Sequence, residues 1–111
     1  MKQEKVYICS PYRARTKKEV KENVANAVQY CKDAIAQGFE PVCPHIYFTQ
    51  FLNDNIPAER EMGLAFGIAQ LKKCNELWVY GEPTSGMQAE LKQAYISGIE
   101  AIKKEGVKKC Q

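Results

Sequence analysis

The sequence is poor in the residues that hold metals and has no segment suited to crossing a membrane. It contains a single histidine, His45, and an odd number of cysteines, five: Cys9, Cys31, Cys43, Cys74 and Cys110. None of these stands at C-x-x-C spacing from another cysteine or at that spacing from His45. A metal centre and a disulfide framework are therefore not expected, nor is a cofactor. Cys9, Cys31, Cys43 and Cys74 read as small buried hydrophobes, and Cys110 as a loose tail thiol. No apolar run reaches the length of a membrane span. The start, MKQEKVYICSPY, lacks the long apolar stretch and small-residue cleavage site of a secretory leader, so a cytoplasmic location is expected. A broad nucleic-acid footprint is not expected either. The formal charge is +3, but Lys103, Lys104, Lys108 and Lys109 crowd the last nine residues and leave the body near neutral.

What is present is enough for one core. With 111 residues and 45% hydrophobic composition, the chain can bury roughly two-thirds of its unfolded surface as a single domain. Lys5 to Cys9 (KVYIC) is short and apolar on both faces, as a buried parallel strand is. Thr16 with Glu19 predicts a capping box that opens a helix. Val20, Val24, Ala27, Val28, Cys31 and Ile35 recur along it at helical spacing until Gly38. Glu40 to Cys43 predicts a second strand, with Pro41 near its start. Pro44 to Asn55 is aromatic and polar without a period and reads as a long loop. Pro57 opens a helix to about Lys73 with Leu64, Ala65, Ile68 and Leu71 inward. Glu76 to Tyr80 is a third strand, in which Trp78 and Tyr80 read as core or sheet packing. Ser85 with Gln88 predicts a second capping box, for a helix to about Ser97 that uses Met87, Leu91, Ala94 and Tyr95 inward. A last strand is expected near Glu100 to Ile102. No internal repeat or low-complexity segment interrupts the order.

This alternation predicts an α/β fold: a three-layer, flavodoxin-like, doubly wound parallel sheet of order 2-1-3-4 in one domain. In such a sheet the first and third strands are neighbours where the winding reverses, and ligands bind beyond their carboxyl ends. The turns nominated are SPYRA and GEPTSG.

The first turn brings a hydroxyl (Ser10), a rigid ring (Pro11), a phenol (Tyr12) and a guanidinium (Arg13) together ahead of a helix. Arg13 can fork onto a phosphate or carboxylate, and Tyr12 can stack on a base or bond a sugar. The plainer alternative is that Arg13, Arg15 and Lys17 form a solvated basic turn. In the second turn, Thr84, Ser85, Gly86 and Met87 lead into a helix whose free amides favour an anion. Glu90 lies one turn inside and is expected to face the mouth of the site. A lone helical glutamate is otherwise a solvated one, although no lysine follows at i+4 to pair with it.

These segments, VYICSPYR, PVCPH, the ER ahead of the third-strand-side helix, CNELWVYG and SGMQAE, together resemble the nucleoside 2-deoxyribosyltransferase-like superfamily. That group includes 2'-deoxynucleoside 5'-phosphate N-hydrolases, and the chain looks most like its small uncharacterised bacterial and phage members. The resemblance covers residues 4 to 100. It implies that Glu90 is the nucleophile at the anomeric carbon of a nucleoside or nucleotide, through an oxocarbenium-like transition state. Arg13, Thr84 and Ser85 match the positions that hold a 5'-phosphate, and Tyr7 and Tyr12 fall near the ring and sugar. It also implies an aspartate on the helix before the third strand to assist the leaving base, and the corresponding position here is Gly67. No aspartate follows Asp54. Glu59, Glu61, His45 and Tyr12 are the possible substitutes. Glu59 is the best placed, because it shares a helix face with Gly63, Gly67 and Gln70, where the glycines leave room. Those glycines equally suit close helix packing, and His45 equally suits a plain hydrogen bond.

The apolar residues of the long loop, Ile46, Phe48, Phe51 and Leu52, either cap the pocket or pack against another subunit, and the resemblance implies a homodimer or larger homo-oligomer. Three functions stay open: an enzyme of N-glycosidic bonds, a nucleotide-binding module without chemistry, and an interaction domain.

Overall fold

The structure is a computed structural model that describes residues 4–105. Lys108, Lys109 and Cys110 lie outside the described residues, and so does the expected tail. Strands β1 (Lys5–Cys9), β2 (Glu40–Val42), β3 (Glu76–Tyr80) and β4 (Glu100–Lys104) form one parallel sheet in the order β2-β1-β3-β4. Helices α1 (Lys17–Ala36), α2 (Pro44–Phe48), α3 (Pro57–Leu71) and α4 (Ser85–Ile96) connect them. This is the doubly wound arrangement that the sequence predicts.

The two central strands are apolar on both faces because both faces are covered. Tyr7, Cys9, Leu77 and Val79 point to one side, where Leu71 of α3 and Met87 and Ala94 of α4 meet them. Val6, Ile8, Trp78 and Tyr80 point to the other, onto Tyr30 and Ala34 of α1. Tyr30 stacks on Tyr80 with ring centroids 3.8 Å apart, and Phe39 meets Trp78 edge-on at 5.1 Å. The Trp78 indole N–H donates to Glu76 Oε1 at 2.9 Å, so the core's largest side chain keeps its polar atom satisfied. Leu77 is fully buried. Truncation to alanine there costs about 2–5 kcal/mol.

The helices keep much of the expected inward stripe, with Ala27, Ile68, Leu71, Met87, Leu91 and Ala94 on the core, and depart from it at single positions. On α1, Ala27, Tyr30 and Ala34 are buried, whereas Val28 and Ile35 are exposed. On α4, Tyr95 is 86% exposed. On α3, Ile68 and Leu71 pack inward as expected and Gly67 joins them, whereas Ala65 is exposed and Leu64, 40% exposed, lines the cavity described below. At Gly67, α3 comes so close to β1 and α2 that a Cβ would lie 3.1 Å from the Tyr7 hydroxyl and 3.8 Å from Pro44, so the glycine joins the inward face beside Ile68 and Leu71. Pro44 to Asn55 is not wholly irregular, since Pro44 starts the short helix α2 and turns follow it. Helix α1 starts as expected, with Thr16 accepting from the Glu19 N–H at 3.1 Å, and ends ahead of Gly38 at φ +89°. Helix α4 is capped one residue earlier than Ser85: Thr84 Oγ accepts from the Met87 N–H at 3.3 Å. Gln88 takes no part in this cap.

Candidate functional site

Cys9 pairs with Val79 at the ends of β1 and β3, so the turns that leave these strands start side by side. The two turns line one cavity of about 140 Å³ together with α2, α3 and the start of α4. Tyr7, Ser10, Tyr12, Arg13, His45, Glu59, Thr84, Ser85, Gly86, Met87 and Glu90, all nominated from sequence, lie in its wall. Pro11 does not. It stands behind the wall against the turn leaving β3, where a Cβ on Gly81 (φ +75°) would meet its ring at 3.4 Å. A rigid ring there supports the approach of the two turns instead of touching a ligand.

The inner end of the cavity is built around Glu90. Its carboxylate accepts hydrogen bonds from the Tyr7 phenol and from the Cys9 thiol, with Cys9 Sγ 3.8 Å from Oε1. Tyr7 and Cys9 are alternate residues of β1 and project to the same face, which is how one strand delivers two donors to one carboxylate. Burial outweighs the opposing pull of the two hydrogen bonds and leaves the Glu90 carboxyl pushed up to about 7. The same burial, with the Glu90 charge next in size, holds the Tyr7 phenol and the Cys9 thiol protonated well above their ordinary ranges. Cys9 is buried in the core as the sequence predicts, and nothing in its neighbours along the chain marks its second role as a donor to Glu90.

The position implied for a leaving-group aspartate is Gly67, and it does face the site: a Cβ there would lie 3.1 Å from the Tyr7 hydroxyl and 3.8 Å from Pro44. The nominated substitutes are occupied elsewhere. Glu59 Oε1 accepts from the Asn53 N–H at 2.9 Å and so caps the turn ahead of α3. Burial drives His45 down to about 4, so its imidazole is neutral near pH 7 and has no acidic proton to give readily. It lies 5.4 Å from the Tyr12 ring, and its Nε2 is 3.6 Å from Cys43 Sγ. Glu61 is exposed and outside the cavity wall. The Tyr12 phenol is held protonated by partial burial and by nearby Asp54.

The outer end is polar and cationic. Arg13 Nε lies 2.8 Å from Asp54 Oδ2, obliquely enough that the contact is an ion pair and not an aligned hydrogen bond. Arg60 also lines the cavity. Neither Asp54 nor Arg60 was singled out from sequence as a site residue, because pairing across 41 positions leaves no local signal. Ser10 is only 4% exposed, and its hydroxyl has no hydrogen-bond partner among the described residues. Such an orphan costs about 1–3 kcal/mol. The capped start of α4 brings Ser85 and Gly86 into the same wall, and a Cβ on Gly86 would meet nothing within 4 Å. Phe48 and Leu52 close one side, so part of the apolar segment does cap the cavity. Tyr47 and Phe51 instead stay exposed.

Among the described residues no cluster of His, Cys, Asp and Glu could hold a metal ion, and no helix is long and apolar enough to cross a membrane. No curated protein matches the chain. Among solved structures, it is similar to a 2-deoxyribosyltransferase from the psychrotolerant bacterium Bacillus psychrosaccharolyticus. The identity is 18% and the TM-score 0.65, over 91% of this chain and 72% of that one. At that identity the likeness is one of fold, and it agrees with the sheet order. The family match runs over residues 4–104, nearly the whole chain, and on it the protein belongs to the family described as a domain of unknown function (DUF7768).

Proposed function

We propose that the cavity binds a nucleoside or nucleoside 5'-monophosphate and that Glu90 cleaves or transfers its N-glycosidic bond. The observation that carries this is the position of Glu90: a carboxylate pressed against two donors at the inner end of a cavity whose outer end offers Arg13, Ser10 and the start of α4. The sugar would lie against Glu90 and a phosphate against Arg13 and the α4 amides. The structural neighbour is a 2-deoxyribosyltransferase, which is in keeping with this reading.

In the step itself, a Glu90 oxygen attacks C1' while the C1'–N bond breaks and the base leaves with the bonding pair. The base takes a proton from water. Water, or the nitrogen of a second base, then attacks C1' of the glycosyl ester and regenerates the carboxylate with net retention. Tyr7 and Cys9 hold the attacking oxygen in place. A developing positive charge on the sugar favours the ionised form of Glu90 at the moment it is needed.

Gly67 favours a second reading. With no carboxylate at that position and Glu59 engaged by Asn53, the leaving base lacks a strong acid. Such a loss removes on the order of 10²- to 10⁴-fold in rate, which would suit a module that sequesters or senses a nucleotide without turning it over. Incubation with a panel of nucleosides and monophosphates, followed by chromatography for free base, separates the two. Release that is abolished in Glu90→Ala supports the enzyme. Thermal stabilisation by a nucleotide without release supports the binder, and neither effect with any nucleotide sinks both.

The same reading includes a homodimer or larger homo-oligomer. Its support is the aromatic cluster of Tyr47, Phe48, Phe51 and Phe66, whose ring centroids are 5.1 Å apart in the pairs Tyr47–Phe48, Tyr47–Phe51 and Phe48–Phe66.

A further inference from the structure

We infer that the ligand extends beyond a monophosphate, and that a groove beside the cavity binds a second phosphate carried by the nucleotide. This rests on the nucleotide reading above. The inner cavity, at about 140 Å³, has room comparable to a space that holds one aromatic ring, and sites for whole small molecules span about 300–1,000 Å³. A complete nucleotide must therefore continue outside it. A groove of about 700 Å³ between the turn after β1 and the segment after α2 continues it. It shares Tyr12, Arg13, Asp54 and Glu59 with the inner cavity, so the two spaces adjoin along the Arg13–Asp54 pair.

The groove carries an unneutralised charge. Arg13, Arg15, Lys17 and Lys21 line it against Asp54 and Glu59. Asp54 is paired with Arg13, whose side chain stays half exposed, and Glu59 is bonded to the Asn53 N–H. No carboxylate lies within ion-pair distance of Arg15, Lys17 or Lys21 among the described residues. Lys17 and Lys21 are moreover like charges one turn apart, and Lys17 is the first residue of α1, where a cation opposes the helix dipole. Both placements disfavour the empty protein. A polyanion in the groove reverses both.

Arg13 is then the hinge of recognition. It grips the first phosphate at the mouth of the cavity, and the second phosphate runs outward over Arg15 and Lys21. The shared chemistry is a nucleotide with a 5'-diphosphate unit, and it can come from a nucleoside di- or triphosphate or from a dinucleotide joined through pyrophosphate.

Titration calorimetry of the full chain with a nucleoside, its 5'-mono-, di- and triphosphates, a pyrophosphate-linked dinucleotide and a short single-stranded oligonucleotide tests this. The diphosphate is expected to bind about tenfold or more tightly than the monophosphate, with the gain shrinking as salt is raised. The double variant Arg15→Ala, Lys21→Ala is expected to erase that gain and leave monophosphate affinity unchanged; both side chains are exposed, so the fold should survive. Tighter binding of the dinucleotide than of the diphosphate would identify the dinucleotide as the source, and the reverse order the free polyphosphate. Equal affinity for mono- and diphosphate, a gain that persists in the double variant, or an oligonucleotide that outbinds every mononucleotide overturns the inference while the nucleotide reading stands. No binding of any nucleoside or nucleotide defeats that reading itself, and this inference with it.

Discussion

The Cβ that Gly67 lacks would stand 3.1 Å from the hydroxyl of Tyr7, the phenol that hydrogen-bonds Glu90. That is tighter than an ordinary contact, so a side chain at position 67 requires the phenol to give by a few tenths of an ångström. The two residues lie on different elements, and through Tyr7 a backbone position on α3 reaches the carboxylate on α4.

Gly67→Ala is therefore expected to loosen the Tyr7 hydrogen bond and raise the Glu90 pKa further above about 7, since that bond now holds it down. Titration of the Glu90 side-chain carbon by NMR reads the shift. Gly63→Ala is the control, because its Cβ would meet Leu52 Cδ1 at an ordinary 3.6 Å, and it should leave the titration unmoved while favouring the helix by up to about 1 kcal/mol.

Glu90→Gln should stabilise the fold at alkaline pH. The folded carboxyl titrates at about 7 against an ordinary 4.5, so the folded state binds more protons between those values. The stability this represents is fully present below about pH 4.5 and is lost as pH rises through 7. The variant does not titrate there. Its advantage over the wild type is expected to be near zero at pH 4.5 and on the order of 2–3 kcal/mol at pH 8, as read by denaturant unfolding at both pH values. His45 acts in the opposite sense: with its folded pKa pushed down to about 4, its contribution is present above pH 6.5 and lost as pH falls toward 4. His45→Gln should flatten that acid limb.

Much of this arrangement is legible in the sequence. The strand runs KVYIC and ELWVY, the Thr16 cap and the stop at Gly38 are local signals, and they fix the parallel order because few topologies accommodate it. The two nominated turns also follow from that order. What is not legible depends on distance in space. Gly67 joins the inward face of α3 because Pro44 and Tyr7 come so near it, and Leu64, inward by pattern, borders the cavity instead of the core. Cys9 becomes a donor to Glu90 only when β1 and α4 meet, and Asp54 becomes the partner of Arg13 only when the segment after α2 folds across the turn after β1.

Arg13→Ala is expected to weaken binding of a nucleoside 5'-monophosphate by on the order of 10- to 100-fold, the range of a charge-assisted contact. Binding of the parent nucleoside should change little. Stability should fall by no more than about 1 kcal/mol, since the ion pair with Asp54 is half exposed on the arginine side. Comparison of the two dissociation constants with a melting curve checks both statements.

Self-association should run through the exposed rings of α2, the turn after it and α3. Tyr47 is 58% exposed, Phe51 64% and Phe66 42%. Sedimentation equilibrium is expected to give a dimer or larger species for the wild type, and Phe51→Ser with Tyr47→Ser is expected to shift it toward monomer. A wild type that remains monomeric at high micromolar concentration would remove this part of the proposal.

The most direct measurement is a crystal structure of Glu90→Gln soaked with a nucleoside 5'-monophosphate. The expected result places the anomeric carbon about 3–3.5 Å from the side-chain oxygen at position 90, with the phosphate on Arg13 and the start of α4. A nucleotide bound with its sugar turned away from position 90, or bound at another surface with the cavity empty, would contradict it.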